Sequence, residues 1–151
     1  MIINQAAKIN QTIPIPGDKS ISHRAIMLGS LAKGITKIEN FLMGDDCLGT
    51  INCFRQMGIS IDIEENKAIL VYGKGLNGLQ KASRPLDVGN SGTTIRILSG
   101  ILSGQNFPSI ISGDASIEQR PMNRIILPLR QMNANIAAAR GDSYAPLTIH
   151  P

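Results

Sequence analysis

Tryptophan is absent from the 151 residues, and only three phenylalanines and two tyrosines are present. Single-stranded nucleic acid is held on aromatic platforms, so this chain is poorly supplied for that task. Cysteine is almost as scarce: Cys47 and Cys53 stand six residues apart with no others. Two such residues make neither a disulfide framework nor a zinc signature, and the expected compartment is the reducing cytoplasm. No run approaches the roughly 18 to 20 consecutive apolar residues of a membrane span. The opening residues Met1 to Lys8 carry polar side chains where a secretory signal needs an apolar stretch. Like charges never gather into a block of five or six, which argues against a nucleic-acid tail. What remains is 42% hydrophobic and 17% charged, the balance of an ordered globular chain. Fifteen basic residues against eleven acidic ones give a net charge of +4, an excess that suits a pocket for a small anion.

The chain repeats itself. Gly17-Asp18-Lys19-Ser20-Ile21-Ser22-His23-Arg24 aligns, 72 residues on, with Gly89-Asn90-Ser91-Gly92-Thr93-Thr94-Ile95-Arg96. Gly44-Asp45 answers Gly113-Asp114, and Phe54-Arg55-Gln56-Met57 answers Leu129-Arg130-Gln131-Met132. Each copy reads as strand, helix, strand, helix, strand, strand, which predicts a mixed α/β (α+β) fold. In the first copy, strands are expected at 12–15, 35–41, 59–64 and 67–72, with helices over 22–33 and 46–57. Asp45 or Asp46 is the expected N-cap of the second of these helices, and Gly58 its stop. Ile59, Ile61 and Ile63 alternate, predicting one buried and one wet face. In the second copy, a helix is expected over 93–103, a strand over 109–112, and a helix starting at Pro121 that Pro128 kinks or splits. Residues 145–149 form the last strand, and 73–84 the connector.

Two strand-to-helix junctions carry the chemistry. Backbone N–H groups left free at a helix start, with the positive end of the helix dipole, make an anion site. At Gly17-Asp18-Lys19-Ser20, Lys19 adds a mobile charge and Ser20 a hydroxyl, while Arg24 lies one turn further on. Alone, Lys19-Ser20 is better read as an ordinary capped helix with surface cations, because capping is common and phosphate binding is not. Gly89-Asn90-Ser91-Gly92-Thr93-Thr94 repeats the arrangement with smaller side chains that let backbone approach a ligand. Neither segment is a Walker loop or a dinucleotide fingerprint, so ATP and NAD are disfavoured. Arg120 stands at a helix entrance, an adverse place for a cation unless an anion, or a carboxylate such as Asp114 or Glu118, compensates it. His23 has no partner at metal-ligand spacing and reads as a packed or exposed histidine.

The segments Pro16 to Arg24, Gly89 to Arg96 and Gly113-Asp114 through Arg120-Pro121-Met122, in this order, resemble the EPSP synthase (3-phosphoshikimate 1-carboxyvinyltransferase) family. The resemblance spans essentially the whole chain but only the first part of the family's length. It implies two βαβαββ units, over 12–84 and 85–151, of an inside-out α/β barrel. The third unit and a whole second domain lie outside, so the domain is incomplete. Residues 1–11 would form a strand pairing with that other domain. The implied reaction moves the enolpyruvyl group of phosphoenolpyruvate onto the 5-hydroxyl of shikimate 3-phosphate, without a cofactor or metal. Carried over by motif position, Lys19, Ser20 and Arg24 hold shikimate 3-phosphate. Lys19, Gly92 and Arg120 hold phosphoenolpyruvate, Gly92 offering its N–H and room. Asn90, Thr93 and Arg96 support that site, and Lys19 is the one residue of this chain expected to take part in catalysis. The family's acid and base lie in the second domain, so a chain of this extent is expected to be inactive alone. Uncovered helix faces are expected to promote self-association, and neither nucleic acid nor membrane is an expected partner. Two rivals stand beside this reading: a fragment like UDP-N-acetylglucosamine enolpyruvyl transferase, and a non-catalytic module binding anions or nucleic acid.

Overall fold

The structure, a computed structural model, describes residues 8, 10–65 and 67–151. The N-terminal strand expected over 1–11 falls mainly on positions outside that set. Among the described residues thirteen elements follow one another: α1 (Lys19–Leu31), β1 (Lys33–Ile38), α2 (Asp45–Gln56), β2 (Ser60–Ile63), β3 (Ile69–Lys74), β4 (Leu86–Asp87), α3 (Gly92–Ser103), β5 (Ser109–Ser112), α4 (Ala115–Glu118), α5 (Asn123–Gln131), β6 (Asn135–Ala138), α6 (Ala139–Asp142) and β7 (Tyr144–His150). The fold is mixed α/β. No described helix is long and apolar enough to cross a membrane.

Two sheets organise it. The first has the order β1-β3-β2, all antiparallel, with Ile35 opposite Tyr72 and Ile61 opposite Val71. The second runs β4-β5-β7-β6, where β4 and β5 are parallel and the other pairs antiparallel. One apolar cluster joins them, running from Phe54, Ile26 and Ile69 to Leu98, Ile111 and Leu147, all fully buried. The repeated Arg-Gln-Met segments perform the same task in both halves. Arg55 Nε donates to the Ile61 carbonyl at 3.0 Å, and Arg130 Nε donates to the Ile136 carbonyl at 2.9 Å. Each arginine thus ties the end of a helix to the strand that follows it.

Several expectations are corrected. Residues 12–15 form no strand, and Ile13 and Ile15 stand 71% and 76% exposed. Pro14 and Pro16 lack N–H groups on alternate positions, so the segment cannot donate a ladder along one edge. It is tied instead by Asn40 Nδ2 donating to the Ile15 carbonyl at 3.3 Å. α1 begins at Lys19, earlier than expected, because Asp18 caps it: its Oδ1 accepts the Ile21 N–H at 2.7 Å. For α2 the N-cap is Gly44, while Asp45 and Asp46 occupy the first turn. Gly58 does follow the end of α2, with φ +84. Ile59 and Ile61 are buried but Ile63, at the strand end, is exposed. The helix expected from Pro121 starts at Asn123, with Met122 as its N-cap and the Met122 N–H donating to the Ser143 carbonyl at 2.7 Å. Pro128 sits inside α5, which stays one helix.

Candidate anion-binding site

Three helices start beside one another: α1 at Lys19, α2 at Asp45 and α3 at Gly92. Between their first turns lies an open cleft of about 400 Å³ lined by Lys19, Asp46, Asn90, Gly92, Thr93, Arg96 and Arg120. Helix starts carry partial positive charge and unpaired N–H groups, so the cleft is positive even before its side chains are counted. Lys19, Arg96 and Arg120 then add three cations against the single carboxylate of Asp46.

Lys19 is ion-paired with Asp46, the lysine half exposed and the aspartate 17% exposed. The sequence pattern offers Asp46 only as a candidate N-cap and does not disclose this pairing, since nothing in the spacing links positions 27 residues apart. Arg96 Nη1 donates to the Gly92 carbonyl at 3.1 Å, and its Nε is buried with no hydrogen-bond partner among the described residues. Burial, with Arg124 and Arg120 nearby, pulls the Arg96 guanidinium below its ordinary range. Arg120 makes one long contact, Nη2 to Ser116 Oγ at 3.4 Å. The carboxylates that could have neutralised Arg120 are engaged elsewhere. Asp114 caps α4, accepting from the Ser116 and Ile117 N–H groups at 3.0 Å each. The Ile117 bond leads the effects that hold the Asp114 carboxyl below the usual range. Glu118 pairs with Arg140.

Gly92 is the point on which the guanidiniums converge. A Cβ there would lie 2.6 Å from Arg96 Nη1 and 3.0 Å from Arg120 Nη1. Gly92→Ala is therefore expected to push both arginine ends aside and fill the cleft, weakening anion binding about tenfold or more. Unfolding should change by less than about 1 kcal/mol, because only flexible side-chain ends must move. A titration with phosphoenolpyruvate beside a melting curve checks both halves.

Ser20 and Arg24 do not line the cleft. Both are exposed on α1, with Arg24 Nη1 donating to the Ser20 carbonyl at 3.1 Å. His23 is fully buried, one turn inside Lys19. Its Nδ1 lies 2.7 Å from Thr50 Oγ1, which lies 2.8 Å from Thr94 Oγ1, which donates to Ser91 Oγ at 2.7 Å. Burial first, then the charge of Lys19, lowers the His23 pKa from 6.5, Asp46 opposing and Arg24 adding to the effect. The unfolded chain binds this proton more readily than the folded one. The stability His23 contributes is thus present above about pH 6.5 and is lost as pH falls through the lowered folded value. Urea unfolding across that range should show the acid loss, and His23→Asn should flatten it.

Comparison with known proteins matches these features to one family. The family model for EPSP synthase (3-phosphoshikimate 1-carboxyvinyltransferase) matches residues 3–151. The 3-phosphoshikimate 1-carboxyvinyltransferase of Brevibacillus brevis is 55% identical over 147 residues, 97% of this chain and 34% of that one. That of Desulforamulus reducens is 49% identical over 149 residues, covering 99% and 35%. The structure of EPSP synthase from Acinetobacter baumannii superimposes with a TM-score of 0.88 at 46% identity, covering 91% of this chain and 31% of that one. The chain spans about a third of the length of the curated relatives it matches. With the match of 149 consecutive positions to the family model, the chain belongs to the EPSP synthase family.

Proposed function

We propose that this chain supplies one wall of an enolpyruvyl-transfer site, the wall that holds the anionic groups of phosphoenolpyruvate and shikimate 3-phosphate. The observation that carries this is the pair of guanidiniums, Arg96 and Arg120, brought together over Gly92 with no described carboxylate paired to either. Like charges converge in this way where an anion is to be bound. Lys19, the Gly92 N–H and Arg120 take phosphoenolpyruvate, with Asn90, Thr93 and Arg96 fixing the surroundings. Lys19 exchanges Asp46 for substrate as it does so. Shikimate 3-phosphate lies toward the start of α1, where Lys19, Ser20 and Arg24 face solvent. Arg24 must swing off the Ser20 carbonyl to reach it. In this reading residues 12–84 and 85–151 are two copies of one unit, each presenting a helix start to the same cleft.

Transfer of the enolpyruvyl group needs the double bond of the donor protonated and the acceptor hydroxyl deprotonated. Asp46, the single carboxylate lining the cleft, is tied to Lys19. The residues here therefore bind, orient and stabilise charge, while the acid and base come from the part of the relatives' length this chain does not span. Titration with phosphoenolpyruvate should move the amide signals of Gly92 and Arg120, and the chain alone should release no phosphate at steady state. Unmoved signals refute the binding role, and sustained phosphate release by the chain alone refutes the division of labour.

A further inference from the structure

We propose that His23 is a positioning residue for the anion cleft: as a neutral Nδ1–H imidazole it heads a one-way hydrogen-bond chain, through Thr50 and Thr94 to Ser91, that locks the first turns of α1, α2 and α3 together. The proposal rests on the anion-site reading above and gives it a floor. His23 lies four residues beyond Lys19 on α1, and Thr50 four beyond Asp46 on α2. Thr94 stands two beyond Gly92 on α3, whose N-cap is Ser91. His23 and Thr50 thus lie one helical turn beneath residues that line the cleft, and Ser91 and Thr94 flank its Gly92. It is fully buried: His23, Thr50 and Thr94 are each 0% exposed and Ser91 1%.

The direction of the chain follows from counting donors. Thr94 donates its hydroxyl to Ser91 Oγ, which also accepts the Thr94 N–H at 3.2 Å. Thr94 Oγ1 is then free to accept, and Thr50 donates to it at 2.8 Å in preference to the Asp46 carbonyl at 3.3 Å. Thr50 Oγ1 in turn accepts, so the proton between it and His23 belongs to Nδ1. Nε2 has no hydrogen-bond partner among the described residues. Left as a bare lone pair it costs less than a buried N–H without an acceptor, and the reverse chain would force that N–H on it. The same count makes the imidazolium unfavourable, since its second N–H has nowhere to go.

The charged groups acting on the ring are Lys19 and Arg24 on α1 and Asp46 on α2, while α3 brings the hydroxyls of Thr94 and Ser91. Two cations against one carboxylate keep the neutral form in place. Protonation from below therefore loosens the floor and misaligns the helix starts that hold the anion. Anion affinity should fall in acid, although the protein as a whole then becomes more positive. That sign separates this device from ordinary electrostatics, which predicts the opposite.

Inorganic sulfate is the suitable probe, because it stays divalent over the whole range and any titration belongs to the protein. The amide shifts of Gly92 and Arg120 in the 151-residue chain read its binding. Between about pH 7.5 and about pH 5, sulfate affinity should fall about fivefold or more while amide dispersion reports an intact fold. His23→Leu should weaken binding throughout. His23→Asn, whose amide can donate where Nδ1 did but cannot titrate, should restore it and abolish the acid loss. The sequence holds one other histidine, His150, and His150→Gln should leave the acid loss unchanged. On the unsubstituted chain at neutral pH, nitrogen chemical shifts should show Nδ1 protonated and Nε2 bare. A bare Nδ1, or an acid loss that persists in His23→Asn beside normal binding at neutral pH, overturns this proposal alone. Absence of any sulfate shift at every pH overturns the anion-site reading and this proposal with it, even where the nitrogen shifts confirm the tautomer.

Discussion

Arg120→Ala should weaken phosphoenolpyruvate binding by about 10- to 100-fold while leaving the unfolding free energy within about 0.5 kcal/mol of the original. The two halves of that expectation come from one fact, that the guanidinium is exposed and makes a single long contact, to Ser116 at 3.4 Å. A side chain that supports nothing in the fold costs little to remove. Its charge is set at the approach to α5, where the helix dipole disfavours a cation, and no described carboxylate forms an ion pair with it, exposed Asp114 acting on it only at longer range. That unpaired charge is what an anion gains by binding. Charge-assisted hydrogen bonds contribute about 1.5 to 3 kcal/mol each, which gives the fold-change above. Calorimetric titration and a melting curve on the same sample decide it. Unchanged affinity would remove Arg120 from the site, and a large stability loss would make it a structural residue.

The contrast between Arg120 and Arg24 shows how far the sequence could be read. Both stand near a helix start and both are cations in a recognisable motif. Arg120 meets the cleft because α3 and the segment after α4 bring Gly92 and Arg120 together. Arg24 instead folds back on its own helix, donating to the Ser20 carbonyl one turn earlier. Spacing along a helix reveals which residues share a face but not which of several acceptors a long side chain takes. Helices α1, α2, α3 and α5 and the hairpin Ser60–Lys74 follow from local pattern, whereas the one-turn helices α4 and α6 and the repeated Arg-to-carbonyl ties are visible only in the fold. The Lys19–Asp46 pair and the His23–Thr50–Thr94 network join residues 27, 27 and 44 positions apart, so only the packed helices disclose them. Residues 12–15 depart from their pattern for another reason. The alternation of Ile13 and Ile15 favours a strand, but Pro14 within the segment and Pro16 just after it remove donors a strand needs, and donors outweigh pattern.

Phe54→Ala tests whether the two halves are one cooperative body. Phe54 is fully buried on α2, inside the cluster that also contains Ile69 of the first sheet and Leu86 and Ile111 of the second. Cys53 beside it donates its thiol to the Asp87 carbonyl at 3.3 Å, and burial pushes that thiol up to about 12, so it remains a neutral donor across the working pH range. Removing the Phe54 ring should cost about 3 to 5 kcal/mol, a large share of the 5 to 15 kcal/mol typical of a whole domain. The sequence provides a reporter in each sheet, Tyr72 on β3 and Tyr144 on β7. Each can be followed by fluorescence with the other changed to phenylalanine. Because the cluster is continuous, both signals should shift to lower urea together and by the same amount. A Tyr144 transition that stays in place while Tyr72 moves would mean that the second sheet holds its own core. The three helix starts would then be held together by local contacts such as the Lys19–Asp46 pair and the buried His23, Thr50 and Thr94 hydrogen bonds. In the coincident case, loss of a ring in α2 reaches the anion cleft through packing, and phosphoenolpyruvate binding should fall in step with the folded fraction.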